Sequence, residues 1–300
     1  MWTTLITVIQ KEHRDSELDS FLASVRTAGI CVVELKPEKG CGLPENGNLR
    51  QPFAEGDWHA AEGQSVPAWS SSEVLVLTDI RQVADRAKEE GMALLMLEWE
   101  DSAPAYGVPY VAQGLEEVDI EYLDMIYRRF HDEPLVIAQT ERLCIRELVC
   151  EEAETFLRLA GEAGFVLADV AEKEAGQMEQ EFLRAYRKGQ YELYGYGIWA
   201  VTDKRSGELL GIAGVEDREQ QGESYLELGY ALEKKWRGQG IIIEAVFAIL
   251  HFLKEKLQMQ GKIKCLVPKG NIASQRIAQG IGMLQTKDIF DEFYTYERVL

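Results

Sequence analysis

A short basic stretch containing two glycines directly follows a predicted strand and precedes a long apolar segment. It reads Lys235, Trp236, Arg237, Gly238, Gln239 and Gly240. Glycines let the backbone turn so that several amide N–H groups converge, and the unpaired donors and dipole of a helix N-terminus add to them. Such a loop binds phosphate groups, and a diphosphate fits it. The alternative is that the two glycines only begin a buried helix, with the basic residues solvated.

A polar pair farther along the chain favours the anion-binding interpretation. Asn271 and Ser274 follow the predicted strand 263–267, and a spacing of three residues places both side chains on one face of a helix. Asn271 is equally suited to capping that helix and doing nothing more. Gly282 and Met283 complete the pattern.

The combined pattern resembles the GNAT superfamily of acetyl-CoA-dependent N-acetyltransferases. A strand, K-x-x-G-x-G, an apolar helix, a second strand and N-x-x-S before Gly-Met follow one another within about residues 138–300. The segments TERLCIREL (140–148) and ELGYAL (227–232) are similar to the branch that contains ribosomal-protein alanine N-terminal acetyltransferases. The resemblance implies acetyl-CoA as cosubstrate, no metal, and direct attack of a primary amine on the thioester.

The resemblance also implies which residues contact the cofactor. Backbone amides of the glycine loop would hold the diphosphate of coenzyme A, and the pantetheine arm would lie like an added strand beside the strand that ends near 232. That strand would diverge from 263–267 to leave room for the arm. The implied cofactor contacts are Ala231, Leu232, Lys235, Trp236, Arg237, Gly238, Gln239, Gly240, Ile241, Asn271 and Ser274.

Two positions depart from the family pattern. Lys235 stands where Gln or Arg is usual, which keeps the positive charge but loses the planar fork of arginine. Ala278 stands where many members have a tyrosine, seven residues after the asparagine, that protonates the departing thiolate. The sequence assigns that role to no residue.

The implied reaction needs a base for the acceptor amine. Glu227, two residues before Gly229 on the strand beside the acetyl group, is the candidate, and a salt-bridged or solvated strand residue is the alternative interpretation. Glu216 and Asp217, at the end of the predicted strand 208–215, are weaker candidates.

The acceptor itself is a primary amine, either a protein N-terminus or a small cationic molecule. The acidic surroundings favour a cation by electrostatic steering. Tyr191, Tyr194, Tyr196 and Trp199 lie near the loop that often shapes the acceptor pocket, and strand packing is their alternative role.

The first half of the chain alternates short apolar runs with amphipathic segments. This predicts a Rossmann-like α/β domain with a parallel sheet over residues 1–135, joined through 131–140 to the α+β domain at 138–300, whose sheet is mixed and mostly antiparallel. Residues 37–72 are rich in Pro and Gly and are predicted to hold no regular structure. The layout resembles haloacid-dehalogenase-like domains, but the aspartate pair after the first strand is missing, which implies a domain inactive in hydrolysis.

Titratable residues of the first half have less specific interpretations. Asp79 ends a predicted strand, where α/β sheets bind ligands, but capping of the helix that follows is the favoured role. His13, His59 and His131 are isolated in the sequence, which favours solvated or core-capping positions. Neither a dinucleotide-binding glycine motif nor a P-loop follows the first strand.

Composition excludes several classes of protein. The chain has 300 residues, 46% of them hydrophobic, with a formal charge of −19, and residues 1–137 hold 25 acidic and 11 basic residues. Nucleic acid and anionic membranes are therefore poor partners. Five cysteines without a C-x-x-C pair, and no apolar stretch long enough for a membrane span, predict a cytoplasmic protein with reduced thiols and no zinc site. The oligomeric state is left open.

Two other functions fit the sequence. A non-catalytic sensor of acetyl-CoA or coenzyme A, with the first domain as an effector or partner surface, would account for the missing tyrosine. An active hydrolase in the first domain is the third possibility.

Overall fold

The computed structural model describes residues 2–10, 13–37, 58–60, 71–99, 104–116, 118–165, 177–220, 222–290 and 292–300. The chain divides into two compact units, Met1–Glu133 and Pro134–Leu300. Within the described residues no helix is both long and apolar enough to cross a bilayer. The described cysteines, Cys31, Cys144, Cys150 and Cys265, form no disulfide.

The first unit is built on a six-stranded sheet. The strands are β1 (Thr4–Val8), β2 (Cys31–Pro37), β3 (Trp58–Ala60), β4 (Val74–Thr78), β5 (Ala93–Glu98) and β6 (Val111–Gln113). Their order is β3-β2-β1-β4-β5-β6, and every pair is parallel except β2 with β3. The helices are α1 (Ser16–Thr27), α2 (Arg81–Glu89) and α3 (Ile120–Phe130). The predicted α/β domain with a parallel sheet is confirmed.

The apolar runs of the central strands are buried on both faces of this sheet. All five residues of β1 and all five of β4 are buried. Leu75 and Leu77 join one hydrophobic cluster, whereas Val74 and Val76 join another, because successive side chains of a strand point to opposite faces. Continuous apolar runs are therefore needed here, as in other parallel sheets covered by helices on both sides.

Two sequence predictions for the first unit are wrong. The segment 37–72 was predicted to be irregular, but it contains β3 and the start of a 3₁₀ turn, Ser71–Glu73. The short length of β3 and its lack of a long apolar run hide it from periodicity arguments. Most of that segment, including Cys41 and the side chain of His59, lies outside the described residues.

Asp79 does not cap α2, contrary to the second prediction. The residue before α2 is Ile80, and no side chain caps the helix there. The fully buried Asp79 carboxylate instead accepts a hydrogen bond from the backbone N–H of Gln10 (3.0 Å) and one from Nε1 of Trp99 (3.3 Å). Nδ1 of His13 lies 2.5 Å from the same carboxylate. Asp79 therefore ties the end of β1 to the ends of β4 and β5.

The third histidine of the first half occupies a core-capping position. His131 follows α3 and packs against the rings of Tyr127 and Phe130. Burial lowers the pKa of His131 below its usual value. This confirms the core-capping interpretation for His131.

The second unit is built on an eight-stranded sheet. Its strands are β7 (Val136–Gln139), β8 (Leu143–Arg146), β9 (Ile198–Asp203), β10 (Leu209–Gln220), β11 (Glu223–Leu232), β12 (Lys262–Pro268), β13 (Leu284–Phe290) and β14 (Phe293–Val299). The order is β13-β14-β12-β11-β10-β9-β8-β7, and only β11 with β12 is a parallel pair among the described strands. The predicted α+β domain with a mixed, mostly antiparallel sheet is confirmed.

The helices of the second unit are α4 (Ala153–Ala163), α5 (Gln177–Tyr186), α6 (Glu192–Tyr194), α7 (Ile241–Glu255) and α8 (Ile272–Gly280), with a π-turn at Arg187–Tyr191. α7 buries seven apolar side chains in the core of this unit. The segment 131–140, predicted to be the junction, contains the division between the two units at Glu133 and Pro134, and it also contains β7, which pairs with β8 at the edge of the sheet. β7 is only four residues long and partly exposed, so its apolar pattern is weak.

Candidate active site

The parallel pair of strands in the second unit opens into a cleft. β11 and β12 pair only at Leu226 with Ile263 and at Glu227 with Lys264. Beyond these pairs β11 continues along β10, and β12 continues along β14. The predicted divergence of these two strands is therefore present.

Backbone donors point into this cleft from β11. Glu233, just after the strand, donates its N–H to the carbonyl of Leu210 on the β10 side (2.9 Å). Because successive N–H groups of a strand alternate in direction, those of Tyr230 and Leu232 point the opposite way, towards β12. The cleft thus has an open strand edge to which an extended ligand can hydrogen-bond.

The glycine loop turns the chain from β11 into α7. Gly238 and Gly240 have φ angles of 79° and 75°, in the left-handed region that favours glycine. Gly240 is the N-cap of α7, and no described side chain caps the helix there. The first N–H groups of α7 are therefore directed outward at the positive end of the helix dipole, as an anion site requires.

Side chains on α7 and at the start of β8 hold this loop in place. Arg142 donates from Nη1 to the carbonyl of Gln239 (3.1 Å) and from Nε to Oε2 of Glu244 (2.7 Å). Thr140 donates its hydroxyl to the other oxygen of the same carboxylate. Burial opposes ionisation of Glu244, but these hydrogen bonds outweigh it and lower the pKa of Glu244. The loop is thus fixed by an ionised carboxylate and a guanidinium.

The loop, the end of β11 and α8 enclose a first cavity of about 450 Å³. Eight predicted cofactor contacts line this first cavity: Ala231, Leu232, Arg237, Gly238, Gly240, Ile241, Asn271 and Ser274. Asn271 also accepts a hydrogen bond from the N–H of Ser274 (3.1 Å), which confirms the helix-capping interpretation of this residue.

Three predicted cofactor contacts are not among the lining residues of the first cavity. Lys235 forms an ion pair with Glu208 (2.5 Å) and lies over the ring of Trp236. Gln239 donates its side-chain amide to the carbonyl of Lys235 (3.2 Å). The exposed side chains of Lys235 and Gln239 thus contact other residues outside this cavity, and Trp236 packs against the core of the second unit.

A second cavity of about 660 Å³ lies where β11 and β12 diverge. It shares four lining residues with the first cavity, Glu162, Tyr230, Asn271 and Ser274, so the two cavities adjoin. The hydroxyl of Tyr230 donates to the carbonyl of Ser274 (3.2 Å) at this boundary. Glu227 lines the second cavity, at the last paired position of the two strands.

The two cavities differ in charge. The first is lined by Arg237 and Arg276 with one acidic residue, Glu162. The second is lined by Glu162 and Glu227, and no basic residue is found among its described lining residues. Glu162 pairs with Arg237 (2.7 Å), which partly neutralises it. The first cavity is therefore suited to anions and the second to a cation.

Sequence reasoning missed several lining residues. Glu162 on α4 is 65 residues from Glu227 in the chain, and no local pattern connects them. Arg276 lies two residues after Ser274, and its charge on the same short helix was a usable signal. Tyr230 lies within the ELGYAL segment, but only the opening of the strands shows that it borders both cavities.

Three acidic candidates lie near one another on β10 and β11, and of these Glu227 alone is among the described lining residues of the two cavities. Arg218 contacts Glu227 (2.8 Å) and Glu216 (2.7 Å). Burial raises the pKa of Glu216 to about 7, with Arg218 opposing the shift and Glu227 adding to it. Asp217 instead accepts a hydrogen bond from the hydroxyl of Tyr196 (2.7 Å).

The four aromatic residues predicted near the acceptor are not among the lining residues of either cavity. Trp199 is fully buried in the hydrophobic core and packs edge-on against Phe252. Tyr191 is also buried, whereas Tyr194 is half exposed. Strand and core packing is thus the confirmed role of Trp199.

Most of the part of the chain that contains the two cavities is similar in sequence to a known protein family. The family described as acetyltransferase (GNAT) domain matches residues 142–284, from the start of β8 to the start of β13. The match includes β11, the glycine loop, β12 and α8. Over residues 142–284 the chain is thus similar to GNAT acetyltransferase domains.

Individual proteins similar to this chain include one curated sequence and several solved structures. The protein YkkB of Bacillus subtilis (strain 168) is 36% identical over 96 residues, which cover 32% of this chain and 55% of YkkB. The chain thus spans about half the length of that curated relative. An acetyltransferase from Agrobacterium tumefaciens is 21% identical, with a TM-score of 0.42, 54% of this chain covered and 92% of that one. The ribosomal-protein-S5-alanine acetyltransferase of Vibrio fischeri is 15% identical, with a TM-score of 0.40 and coverage of 54% and 95%.

Proposed function

We propose that this protein is an acetyl-CoA-dependent N-acetyltransferase that transfers an acetyl group to a primary amine. The observation that carries the proposal is the junction of two cavities at the opening between β11 and β12. One cavity contains the uncapped start of α7 and the other contains Glu227. A thioester and an amine brought in from opposite sides would meet near Tyr230.

The residues of the first cavity fit coenzyme A. The left-handed turn at Gly238 and Gly240 presents backbone donors for a diphosphate, and Arg237 and Arg276 add positive charge. The N–H groups of Tyr230 and Leu232 suit the amide groups of a pantetheine arm, which would lie along β11 as an extra strand. Acetyl-CoA would supply the activated acyl group.

The residues of the second cavity favour a cationic acceptor. Glu162 and Glu227 line it, and the C-terminal end of α4, where helix carbonyls concentrate negative potential, forms part of its wall. The formal charge of −19 also raises the local concentration of cations. A protein N-terminus or a small cationic amine fits this cavity.

In this reaction the protein must remove a proton from the acceptor amine, orient the amine and stabilise the negative charge that develops on the carbonyl oxygen. Glu227 accepts a proton from the acceptor ammonium, so that the nitrogen lone pair can attack the acyl carbon. A backbone N–H of β11 that points into the cleft stabilises the oxyanion. Holding both reactants in one cleft supplies much of the remaining rate enhancement.

The test uses purified protein, acetyl-CoA and a panel of primary amines that includes peptides with free N-termini and polyamines. We expect thiol release that depends on the amine, and a rise in melting temperature with acetyl-CoA alone. Gly240→Val should abolish that rise, because it strains the left-handed turn and blocks the donors. Gly207→Val is the matched control: Gly207 has a φ of 74° in the β9–β10 turn, away from both cavities. No melting shift with acetyl-CoA at concentrations far above micromolar would contradict the proposal.

A second candidate function is a non-catalytic sensor of acetyl-CoA or coenzyme A. The observation that favours it is Ala278, which is fully buried and offers no hydroxyl to the leaving thiolate. The first unit would then carry the effector or partner surface. Binding without turnover across the whole amine panel supports the sensor, whereas turnover that Glu227→Gln removes excludes it.

A further inference from the structure

Two carboxylates face each other across the strands next to the second cavity. Glu216 of β10 and Glu227 of β11 are directly paired in the antiparallel register. Like charges at directly opposed positions destabilise a sheet unless another group compensates them. Arg218, two residues after Glu216 and therefore on the same face, contacts both carboxylates: Nη2 lies 2.7 Å from Glu216 and Nε lies 2.8 Å from Glu227.

The two carboxylates differ in their access to a substrate. Glu227 lines the second cavity, whereas Glu216 is not among the residues that line either one. The side chain of Glu216 is only 9% exposed. In the part of the chain that the structure describes, Arg218 connects Glu216 to Glu227 and so to the second cavity.

The charged and titratable groups around Glu216 are few in the described structure. Arg218 and Asp217 lie on its own strand, and Glu227 faces it from β11. Tyr186, at the end of α5, is also near: burial raises the pKa of its phenol, and the charge of Glu216 raises it further. Asp217 directs its carboxylate to Tyr196. Arg218 is thus the cation shared by the two glutamates.

We propose that Glu216 is a positioning residue for proton transfer, and that it controls through Arg218 how strongly Glu227 attracts the proton of the acceptor ammonium. When Glu216 is ionised, Arg218 divides its charge between two carboxylates, so Glu227 binds a proton more strongly. When Glu216 is protonated, Arg218 neutralises Glu227 alone, and Glu227 is a weaker base. The inference rests on the proposed function of the same site.

The proton balance of the transfer is complete without another reactant. The acceptor ammonium gives one proton to Glu227, which later releases it to solvent. The amine nitrogen then forms a bond to the acyl carbon while the carbon–sulfur bond breaks, and the sulfur leaves with the electron pair. The second proton lost from nitrogen goes to the thiolate, so the products are the acetylated amine and the free thiol.

The raised pKa of Glu216, about 7, places this control in the neutral range. As the pH rises through 7, Glu216 becomes ionised and Glu227 becomes the stronger base. Acetyl transfer should therefore increase through this range in the wild-type protein. Glu216→Gln imitates the protonated form, because glutamine is neutral and its amide oxygen can still accept from Arg218.

The experiment compares pH profiles of kcat/KM for the acceptor, from pH 5.5 to 9, in the wild-type protein, Glu216→Gln and Glu219→Gln. We expect kcat/KM of Glu216→Gln not to rise near pH 7 and to be about three- to tenfold lower than that of the wild-type protein at pH 8. A loss of this size corresponds to a decrease in base strength of up to roughly one pKa unit. The KM for acetyl-CoA should change little, and so should kcat/KM for the acceptor at pH 6. Glu219→Gln removes the same charge at an exposed position three residues farther along β10, and should keep the wild-type profile.

A second measurement separates this inference from the proposed function. Carbon-13 NMR of labelled glutamate carboxylates follows the titration of Glu227 without turnover, and we expect its midpoint to move to lower pH in Glu216→Gln. If the wild-type protein transfers acetyl groups but both the profile and the Glu227 titration are unchanged in Glu216→Gln, this inference is overturned alone. If the wild-type protein transfers none, the proposed function fails, and the role of Glu216 fails with it.

Discussion

Arg142 and Glu244 are 102 residues apart in the chain, yet the guanidinium lies 2.5 Å from the carboxylate directly beneath the glycine loop. A second nitrogen of Arg142 donates to the carbonyl of Gln239 within the loop. The pair therefore links the first turn of α7, the loop and the start of β8. Neither residue is among the described lining residues of the first cavity, so the pair acts by fixing the positions of the backbone donors.

Replacing Arg142 with Ala should weaken acetyl-CoA binding about tenfold, equivalent to roughly 1.4 kcal/mol. The physical reason is that the loop donors are no longer pre-arranged, and ordering them then opposes binding. Isothermal titration calorimetry measures this directly. Arg205→Ala, an exposed arginine in the β9–β10 turn, is the control and should bind normally. Equal affinity in the wild-type protein and Arg142→Ala would show that the loop needs no such support.

Arg237 and Lys235 should differ in their contribution to cofactor binding although both lie in the loop. Arg237 lines the first cavity, donates to the carbonyl of Leu232 (2.9 Å) and pairs with Glu162. Lys235 is 64% exposed and pairs with Glu208 outside that cavity. We expect Arg237→Ala to raise the Kd for acetyl-CoA about five- to tenfold and Lys235→Ala to change it less than about twofold, because exposed ion pairs contribute little. A larger increase in Kd for Lys235→Ala than for Arg237→Ala would contradict this prediction and assign the phosphate contact to Lys235.

Glu216 should make the stability of the second unit depend on pH. Its pKa is about 7 in the folded protein, against an ordinary value of 4.5. A raised carboxyl pKa means that its contribution to stability is fully present below pH 4.5 and is lost as the pH rises through 7. Glu216→Gln cannot ionise, so its free energy of unfolding relative to the wild-type protein should rise by up to about 3 kcal/mol between pH 4.5 and 8.

Chemical denaturation at pH 5 and pH 8 checks this dependence. Glu219→Gln, on an exposed position of the same strand, serves as the control and should show the same difference from wild type at both pH values. A Glu216→Gln difference that does not grow with pH would mean that Arg218 keeps Glu216 ionised throughout.

Asp79→Asn should destabilise the first unit by about 2 kcal/mol. The buried carboxylate accepts hydrogen bonds from several donors, and the asparagine NH2 group, itself a donor, would face one of them without an acceptor. Those donors are the N–H of Gln10 and Nε1 of Trp99, with His13 at the same carboxylate. Denaturant unfolding followed by tryptophan fluorescence measures the loss. Asp85→Asn on the exposed face of α2 removes a surface ion pair and should cost less than about 0.5 kcal/mol. Similar losses in the two variants would mean that Asp79 is not a structural anchor.

The amino-acid sequence alone determined most of the strands and helices and the turn at the glycine loop. Continuous apolar runs such as Val74–Thr78 predict buried parallel strands, and strands near 284–290 and 293–299 follow from the alternation along the chain. Gly238 and Gly240 at the start of an apolar helix indicate a left-handed turn with free donors, since the signal is local and each residue acts on its own backbone.

Tertiary structure decided which side chains meet. The early separation of β11 from β12 created the two cavities, the antiparallel register set Glu216 opposite Glu227, and α4 brought Glu162 to both cavities. The prediction that Asp79 caps a helix was wrong, because its carboxylate instead contacts His13 and the backbone N–H of Gln10, which follow β1 in a distant part of the chain. Such pairings depend on strand order and register, and a local pattern of residue types does not specify them, because the partners are brought together only by the packing of distant segments.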